Sequence, residues 1–185
     1  PICIDTEGAQ IRTKVKKPVF IKLGKIITLG NKNNNFSLYP ENITAKIKTG
    51  DILNVGFDNL KVKILKKKKF IYCKAISGGK LENNKGVHIE NRKIKIDYLT
   101  EKDLEAINIG KKYKIKNYAL SFTNSIGDII KFNKLLSKEN KIFKIETLNA
   151  CKNFKEIIKY AKNFLIDRGD LSKDVNIENI PIVQR

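Results

Sequence analysis

The sequence predicts an α/β protein in two parts: a small all-β unit with a barrel or sandwich core, and alternating helices and strands that make a parallel sheet. Three observations carry this reading. From about Lys14 to His88 the apolar segments are short, rich in β-branched residues and separated by Gly, Asn and Asp. After Asp97 the apolar spacing switches between helix and strand periods. The change of rhythm falls near residue 95 and is not marked by any low-complexity stretch.

In the first part, strands are expected at Val19 to Leu23, Ile43 to Ile47, Ile52 to Val55, Leu60 to Leu65 and Phe70 to Ala75. Lys48-Thr49-Gly50-Asp51 and Gly56-Phe57-Asp58-Asn59 carry turn residues. The run Lys66 to Lys69 reads as a solvated turn whose charge also protects a strand edge from pairing. In the second part, Thr100 stands as an N-cap with Asp103 in the place of the capping-box acid, so a helix runs to about Ile109 or Lys111. Tyr118 to Phe122 follows as a strand. Ser125-Ile126-Gly127-Asp128 then opens a helix through about Ser137, with Ile129, Phe132, Leu135 and Leu136 on its inner face. Ile142 to Glu146 is the next strand, Phe154 to Ala161 a helix and Phe164 to Ile166 a further strand. Such βα units with right-handed crossovers give a parallel sheet, and their periodicity fits an open or a closed one equally.

Within that second part, Lys144 and Glu146 sit two apart in a strand and so point the same way, and Asp170 follows the next apolar run. A cation and two carboxylates brought together suit a divalent metal and a small anionic substrate, because Mg²⁺ takes oxygen ligands and an ammonium offsets developing negative charge. Spacing alone fits a solvated strand face as well.

Composition narrows the classes. The chain has 185 residues, 41% hydrophobic and 31% charged, enough for one sizeable core or a core plus a satellite unit and too apolar for disorder. No run approaches the roughly 20 apolar residues of a membrane span, and Pro1-Ile2-Cys3-Ile4-Asp5 lacks the layout of a signal peptide, so a soluble, cytoplasmic protein is expected. Cys3, Cys73 and Cys151 are scattered and odd in number, which fits reduced thiols rather than a disulfide framework or zinc site. His88 is the single histidine and reads as an ordinary loop residue. The net charge of +19 invites a nucleic-acid partner. Against that, the cations are mostly Lys, spread along the chain, with no aromatic-basic interleaving and no helix-turn-helix pattern, and tracts such as Asn31 to Asn35 fit compositional bias. A positive field would still concentrate anionic small molecules such as nucleotides.

Six blocks, taken in order, resemble the pyruvate kinase family. Ile4-Asp5-Thr6-Glu7-Gly8-Ala9-Gln10-Ile11-Arg12-Thr13 is similar to its strand written LDTKGPEIRTG, and Ser77-Gly78-Gly79-Lys80-Leu81 with Lys85-Gly86-Val87 to the segment leaving its lid domain. Leu99-Thr100-Glu101-Lys102-Asp103, Ser121-Phe122, Lys144-Ile145-Glu146 and Arg168-Gly169-Asp170-Leu171 are similar to its LTEKD, SFVR, KIEN and ARGDLG blocks. The resemblance implies a partial TIM-type (β/α) barrel carrying an inserted β-barrel lid: residues 1–13 a first barrel strand, 14–89 the lid, and 90–185 the following barrel portion. It implies phosphoryl transfer from phosphoenolpyruvate to ADP in glycolysis, giving pyruvate and ATP, at the C-terminal ends of the strands. Glu146 and Asp170 are then the ligands of Mg²⁺ or Mn²⁺, and the backbone N–H groups of Gly169 and Asp170 receive the substrate carboxylate. Lys144 stabilises the enolate, Arg12 contacts the transferring phosphate, Lys85 positions the nucleotide, and Asp5 and Thr6 contribute to a K⁺ site.

The departures from that pattern are as definite. Glu7 replaces a lysine, Ala9 a proline, Lys14 a glycine, Asn124 an arginine, and Ile89-Glu90-Asn91 stands for Leu-Pro-Gly. Near the metal, Asp167 replaces an alanine and Ser172-Lys173-Asp174 replaces Gly-Val-Glu, so an added carboxylate alters metal affinity or charge balance. Four strands do not close an eight-stranded barrel, so the resemblance implies a longer chain, a complementary barrel segment or a homo-oligomer. A catalytically degenerate relative that binds an anionic metabolite or a partner protein is the other reading.

Overall fold

Strand pairing separates the chain into an α/β unit, residues 1–9 and 97–185, and a β unit, residues 10–96. The computed structural model describes residues 1–30, 35–56, 59–90, 92–175 and 177–184. Asn31 to Asn34 of the asparagine tract, Phe57 and Asp58 of the second expected turn, and Asn91 lie outside the described residues.

The chain opens with β1 (Cys3–Asp5), which belongs to the α/β unit. The β unit then runs through β2 (Ile11–Lys14), β3 (Val19–Ile21), β4 (Ile26–Leu29), β5 (Ser37–Tyr39), the short helix α1 (Ile43–Lys46), β6 (Ile52–Val55), β7 (Leu60–Lys67), β8 (Ile71–Ser77), β9 (Gly79–Leu81) and β10 (Gly86–Ile89). Seven strands form one antiparallel sheet in the order β4-β8-β7-β6-β10-β2-β5, and β3 pairs with β9. The sheet ends approach through a bridge between Leu29 and Phe36, so the sheet curls into a nearly closed barrel. Period-two burial explains the interior. Leu60, Val62 and Ile64 of β7 and Ile71, Cys73 and Ala75 of β8 are buried, while Lys63 and Lys74 between them are exposed. Each large aliphatic side chain withdrawn from water in this way contributes about 1.5–3 kcal/mol.

Several expectations are corrected here. Ile43 to Ile47 forms a helical turn instead of a strand, because Ile43 and Ile47 are buried while Ala45 and Lys46 are exposed, a spacing of four that a helix presents on one face. The lysine run is only partly a turn: Lys66 and Lys67 extend β7, and Lys67 Nζ donates to Ala45 O at 2.8 Å, closing a terminal carbonyl of α1. His88 lies in β10 opposite Asn54 and is not a loop residue. Ile11–Lys14 pairs with β10 and β5 inside the β unit, so the parallel sheet starts with the shorter Cys3–Asp5.

After residue 97 the α/β unit continues with α2 (Glu101–Lys112), β11 (Asn117–Leu120), α3 (Ile126–Leu135), β12 (Asn140–Ile145), α4 (Leu148–Lys152), α5 (Phe154–Ile157), β13 (Phe164–Ile166), α6 (Arg168–Leu171), a 3₁₀ turn (Ile177–Asn179) and α7 (Ile180–Val183). The expected helix Phe154 to Ala161 is thus only the short α5, with α4 as a separate turn before it, across Asn153. The sheet is wholly parallel in the order β1-β11-β12-β13, with Asp5 opposite Ala119, Leu120 opposite Phe143 and Ile145 opposite Ile166. Both long helices begin in capping boxes, Thr100 with Asp103 and Ser125 with Asp128. Ile129 and Phe132 of α3 pack on the sheet, and the Phe132 ring meets Phe143 edge-on at 6.0 Å. No helix among the described residues is long and apolar enough to cross a membrane.

In the β unit, Asp51 accepts from Arg92 Nε at 2.8 Å and also from Arg92 Nη2, and from the Lys48 backbone N–H at 2.7 Å. The Arg92 hydrogen bond, opposed by burial and aided by the Lys48 N–H, lowers the Asp51 pKa. A carboxyl depressed on folding stabilises above its unfolded pKa of about 4, and that contribution is lost as pH falls through the folded value. Asp51→Ala is therefore expected to cost about 2 kcal/mol at pH 7 in urea unfolding and much less near pH 2.

Candidate active site

The C-terminal ends of the parallel strands are where the chemistry-bearing side chains converge. Asp5 ends β1 and Thr6 follows it, Ser121 follows β11, Glu146 follows β12 and Asp167 follows β13. Parallel strands of matched register deliver these residues to one edge of the sheet, the usual place for a site in βα architecture.

Lys144 is the hub. Its side chain is 11% exposed, and Nζ lies 3.0 Å from Glu146 Oε1, 3.2 Å from Asp5 Oδ2, 3.4 Å from Asp167 Oδ2 and 3.3 Å from Ser121 Oγ. Burial alone would lower the Lys144 pKa, but Glu146, and then Asp5, raise it above the usual ammonium range. Glu146 is 1% exposed at its side chain. Burial raises its pKa, with the Phe122 N–H and Lys144 opposing and Asp167 adding to the rise. The Phe122 N–H donates to Glu146 Oε2, and Phe122 holds a left-handed φ of 52° that aims the amide at the carboxylate. Asn124, in place of the resembled arginine, secures this loop: its Nδ2 donates to Phe122 O at 2.8 Å and its Oδ1 accepts from Thr147 Oγ1.

The loop after β1 is fixed from below by Asp103, which is 3% exposed. Its carboxylate accepts the backbone N–H of Glu7 at 2.6 Å, of Gly8 at 3.2 Å and of Thr100 at 2.8 Å. Gly8 has φ +65° and its absent side chain would meet Ser121 O at 2.6 Å, so glycine is required for the loop to press on the Ser121 backbone. In turn the Ser121 N–H donates to Thr6 Oγ1 at 3.0 Å and the Ser121 hydroxyl to Asp5 Oδ1 at 3.0 Å.

Glu146, Asp167 and Asp170 each offer a carboxylate oxygen, all within 4.8 Å of one another. Three hard oxygens at that spacing fit Mg²⁺ or Mn²⁺. Asp167 accepts the Gly169 N–H at 3.2 Å as cap of the α6 turn; burial alone would raise its pKa, but Lys144, and then the Asp170 N–H, lower it. Asp170 accepts from Lys173 Nζ at 2.6 Å.

Lys144, Glu146, Asp170, Gly169, Asp5 and Thr6, all expected in a site, thus lie in the α/β unit, with Lys144 bonded to Glu146 and Asp5 and the acidic oxygens of Glu146 and Asp170 adjacent. Arg12 and Lys85 belong to the β unit, where pairing of β2 with β10 sets Arg12 opposite Gly86. Arg12 Nη1 donates to Asn84 O at 3.3 Å, its buried Nε has no partner among the described residues, and Lys85 Nζ pairs with Glu82 at 3.0 Å. Sequence reasoning missed Ser121 as a partner of Lys144 and the Phe122 amide as a partner of Glu146. The signal available was the Ser121-Phe122 pair at the end of a strand.

A protein-family model described as the pyruvate kinase barrel domain matches residues 1–185. Pyruvate kinase of Staphylococcus saprophyticus is 31% identical over 199 residues, spanning 100% of this chain and 34% of its own length. Pyruvate kinase of Thermotoga maritima is 29% identical over 196 residues, spanning 100% of this chain and 42% of its own. The chain therefore spans well under half the length of these relatives. The crystal structure of Cryptosporidium parvum pyruvate kinase superposes with a TM-score of 0.86 at 23% identity, covering 98% of this chain and 42% of that one, a likeness of fold.

Removing Glu146 leaves Lys144 with Asp5 and Asp167 but takes away its least exposed carboxylate and leaves the Phe122 N–H without its acceptor. Glu146→Ala is expected to cost about 2–3 kcal/mol in urea unfolding. Glu146→Gln keeps an acceptor for the Phe122 amide and should cost about 1–2 kcal/mol.

Proposed function

The chain belongs to the pyruvate kinase family, and on that premise we propose that it is part of a cytoplasmic, metal-dependent phosphotransferase that moves a phosphoryl group from phosphoenolpyruvate to ADP, giving pyruvate and ATP in glycolysis. The observation that carries this is the meeting of Lys144 with Glu146, 3.0 Å apart, beside the Asp170 carboxylate at the sheet's C-terminal edge. Glu146 and Asp170 would hold Mg²⁺ or Mn²⁺, with Asp167 in reach as a third oxygen. When bound, the ion supplies charge compensation for phosphate and enolate oxygens.

Lys144 supplies an ammonium fixed by its own carboxylate partners, so little reorganisation is needed to face the developing enolate. The Gly169 and Asp170 N–H groups are the proposed seat of the substrate carboxylate. Arg12, whose Nε has no partner among the described residues, is proposed to act on the transferring phosphate, and Lys85 on the nucleotide. Asp5, whose side chain is more than half exposed, and Thr6 are proposed to contribute oxygens to K⁺. Phosphoryl transfer is chiefly positioning and charge compensation, which is what this set of groups can do.

Both outer strands of the parallel sheet carry exposed apolar residues, Ile2 beside β1 and Leu165 in β13, at 71% and 44%. This supports barrel closure by further strands, from the rest of a longer chain, a complementary barrel segment or a second copy. Nucleic acid and membrane are not proposed as partners.

A second reading, a catalytically degenerate relative binding an anionic metabolite or a partner protein, is favoured by the two internal ion pairs absent from the resembled pattern, Asp167 with Lys144 and Lys173 with Asp170. A coupled assay for pyruvate, with phosphoenolpyruvate, ADP, Mg²⁺ and K⁺, separates the two in the natural full-length protein. Turnover that falls by about 10²–10³ or more in Lys144→Ala supports the transferase. Phosphoenolpyruvate binding without turnover supports the degenerate relative.

A further inference from the structure

An ammonium has three N–H donors, and Lys144 Nζ already faces three carboxylates as well as the Ser121 hydroxyl. Two of those carboxylates, Asp5 and Glu146, come from motifs the chain shares with its family. The third, Asp167, stands where the resembled pattern has alanine. Its two oxygens take different partners: Oδ2 meets Lys144 at 3.4 Å, and Oδ1 accepts the Gly169 N–H at 3.2 Å. Those are the groups proposed above to meet the enolate and the carboxylate of the substrate. The side chain is 34% exposed, so it can swing out to water without leaving an unsolvated charge.

The geometry points to Asp167 as a built-in competitor of the anionic substrate, a specificity-determining residue that occupies the lysine and the amide until phosphoenolpyruvate displaces it. The inference rests on the transferase reading of the site. A carboxylate held on the same donors subtracts from substrate affinity in two ways: it must be displaced, and its charge repels the incoming anion. An occupant present in nine-tenths of free molecules weakens apparent affinity about tenfold.

The test is phosphoenolpyruvate binding to the natural full-length protein by calorimetry with Mg²⁺ and no nucleotide, so that no turnover intervenes. Asp167→Ala is expected to bind phosphoenolpyruvate about tenfold more tightly than the unaltered protein. Asp167→Asn, which keeps a cap for the Gly169 N–H, controls for loss of the α6 turn and should bind more tightly by a smaller factor. Equal or weaker binding by both variants overturns the inference, and weaker binding assigns Asp167 to holding the metal. If the unaltered protein and both variants fail to bind phosphoenolpyruvate, the transferase reading falls with it. A coupled assay gives a second readout: KM for phosphoenolpyruvate is expected to fall in both variants.

Discussion

A lysine and a glutamate, two residues apart and both withdrawn from water, set the terms for the α/β unit. Neither Lys144 nor Glu146 is tolerable alone where it sits: an unpaired buried charge costs several kcal/mol, whereas the pair with its extra hydrogen bonds is self-consistent. The surroundings are arranged to complete it. The Phe122 amide reaches Glu146 through a left-handed backbone, Asn124 ties that loop down, and Asp5 and Ser121 take up the remaining faces of the ammonium. Parallel register then places Asp167 and Asp170 on the neighbouring strand's exit, so that one cation and several carboxylates occupy a few ångströms at the sheet edge. A divalent ion entering such a cluster meets oxygens that are already gathered.

Much of this was legible in the sequence because the determinants are local. Ile52–Val55 and Phe164–Ile166 carry their strand pattern openly, and Thr100 with Asp103 announces a helix start that the structure reproduces as a full capping box. The same-face relation of Lys144 and Glu146 follows from strand geometry alone. Where the reading failed, tertiary burial overrode local preference. Ile43 to Ile47 has strand-forming residues, but the barrel interior takes Ile43 and Ile47 together and winds the segment into a turn. The lower grip of Asp103 on Glu7 and Gly8 was not legible, since it joins segments 96 and 95 residues apart, and the Phe122 amide is a backbone group with no side-chain signature.

Charge was the least well read. The cations are indeed spread along the chain, but the acids are not. Residues 10–96 hold 21 Lys and Arg against 5 Asp and Glu, a net +16, while the α/β unit holds 17 against 14, a net +3. Compositional bias toward lysine acts on both units alike, so the contrast comes from depletion of carboxylates in the β unit. Their concentration in the α/β unit is what allows an acidic cluster in a chain of net charge +19. The positive β unit, with Arg12 on β2 and Lys85 just before β10, supplies a field that favours polyphosphate anions.

The account stands on Glu146 and Asp170 sharing one hard cation next to the Lys144 ammonium. Diffraction from crystals of the natural full-length protein soaked in Mn²⁺, recorded near the manganese absorption edge, tests this directly. The account predicts a single anomalous peak about 2.0–2.3 Å from an oxygen of each carboxylate, with Lys144 still beside Glu146. A map with no peak there, or with manganese bound only elsewhere while Lys173 stays on Asp170, would contradict it.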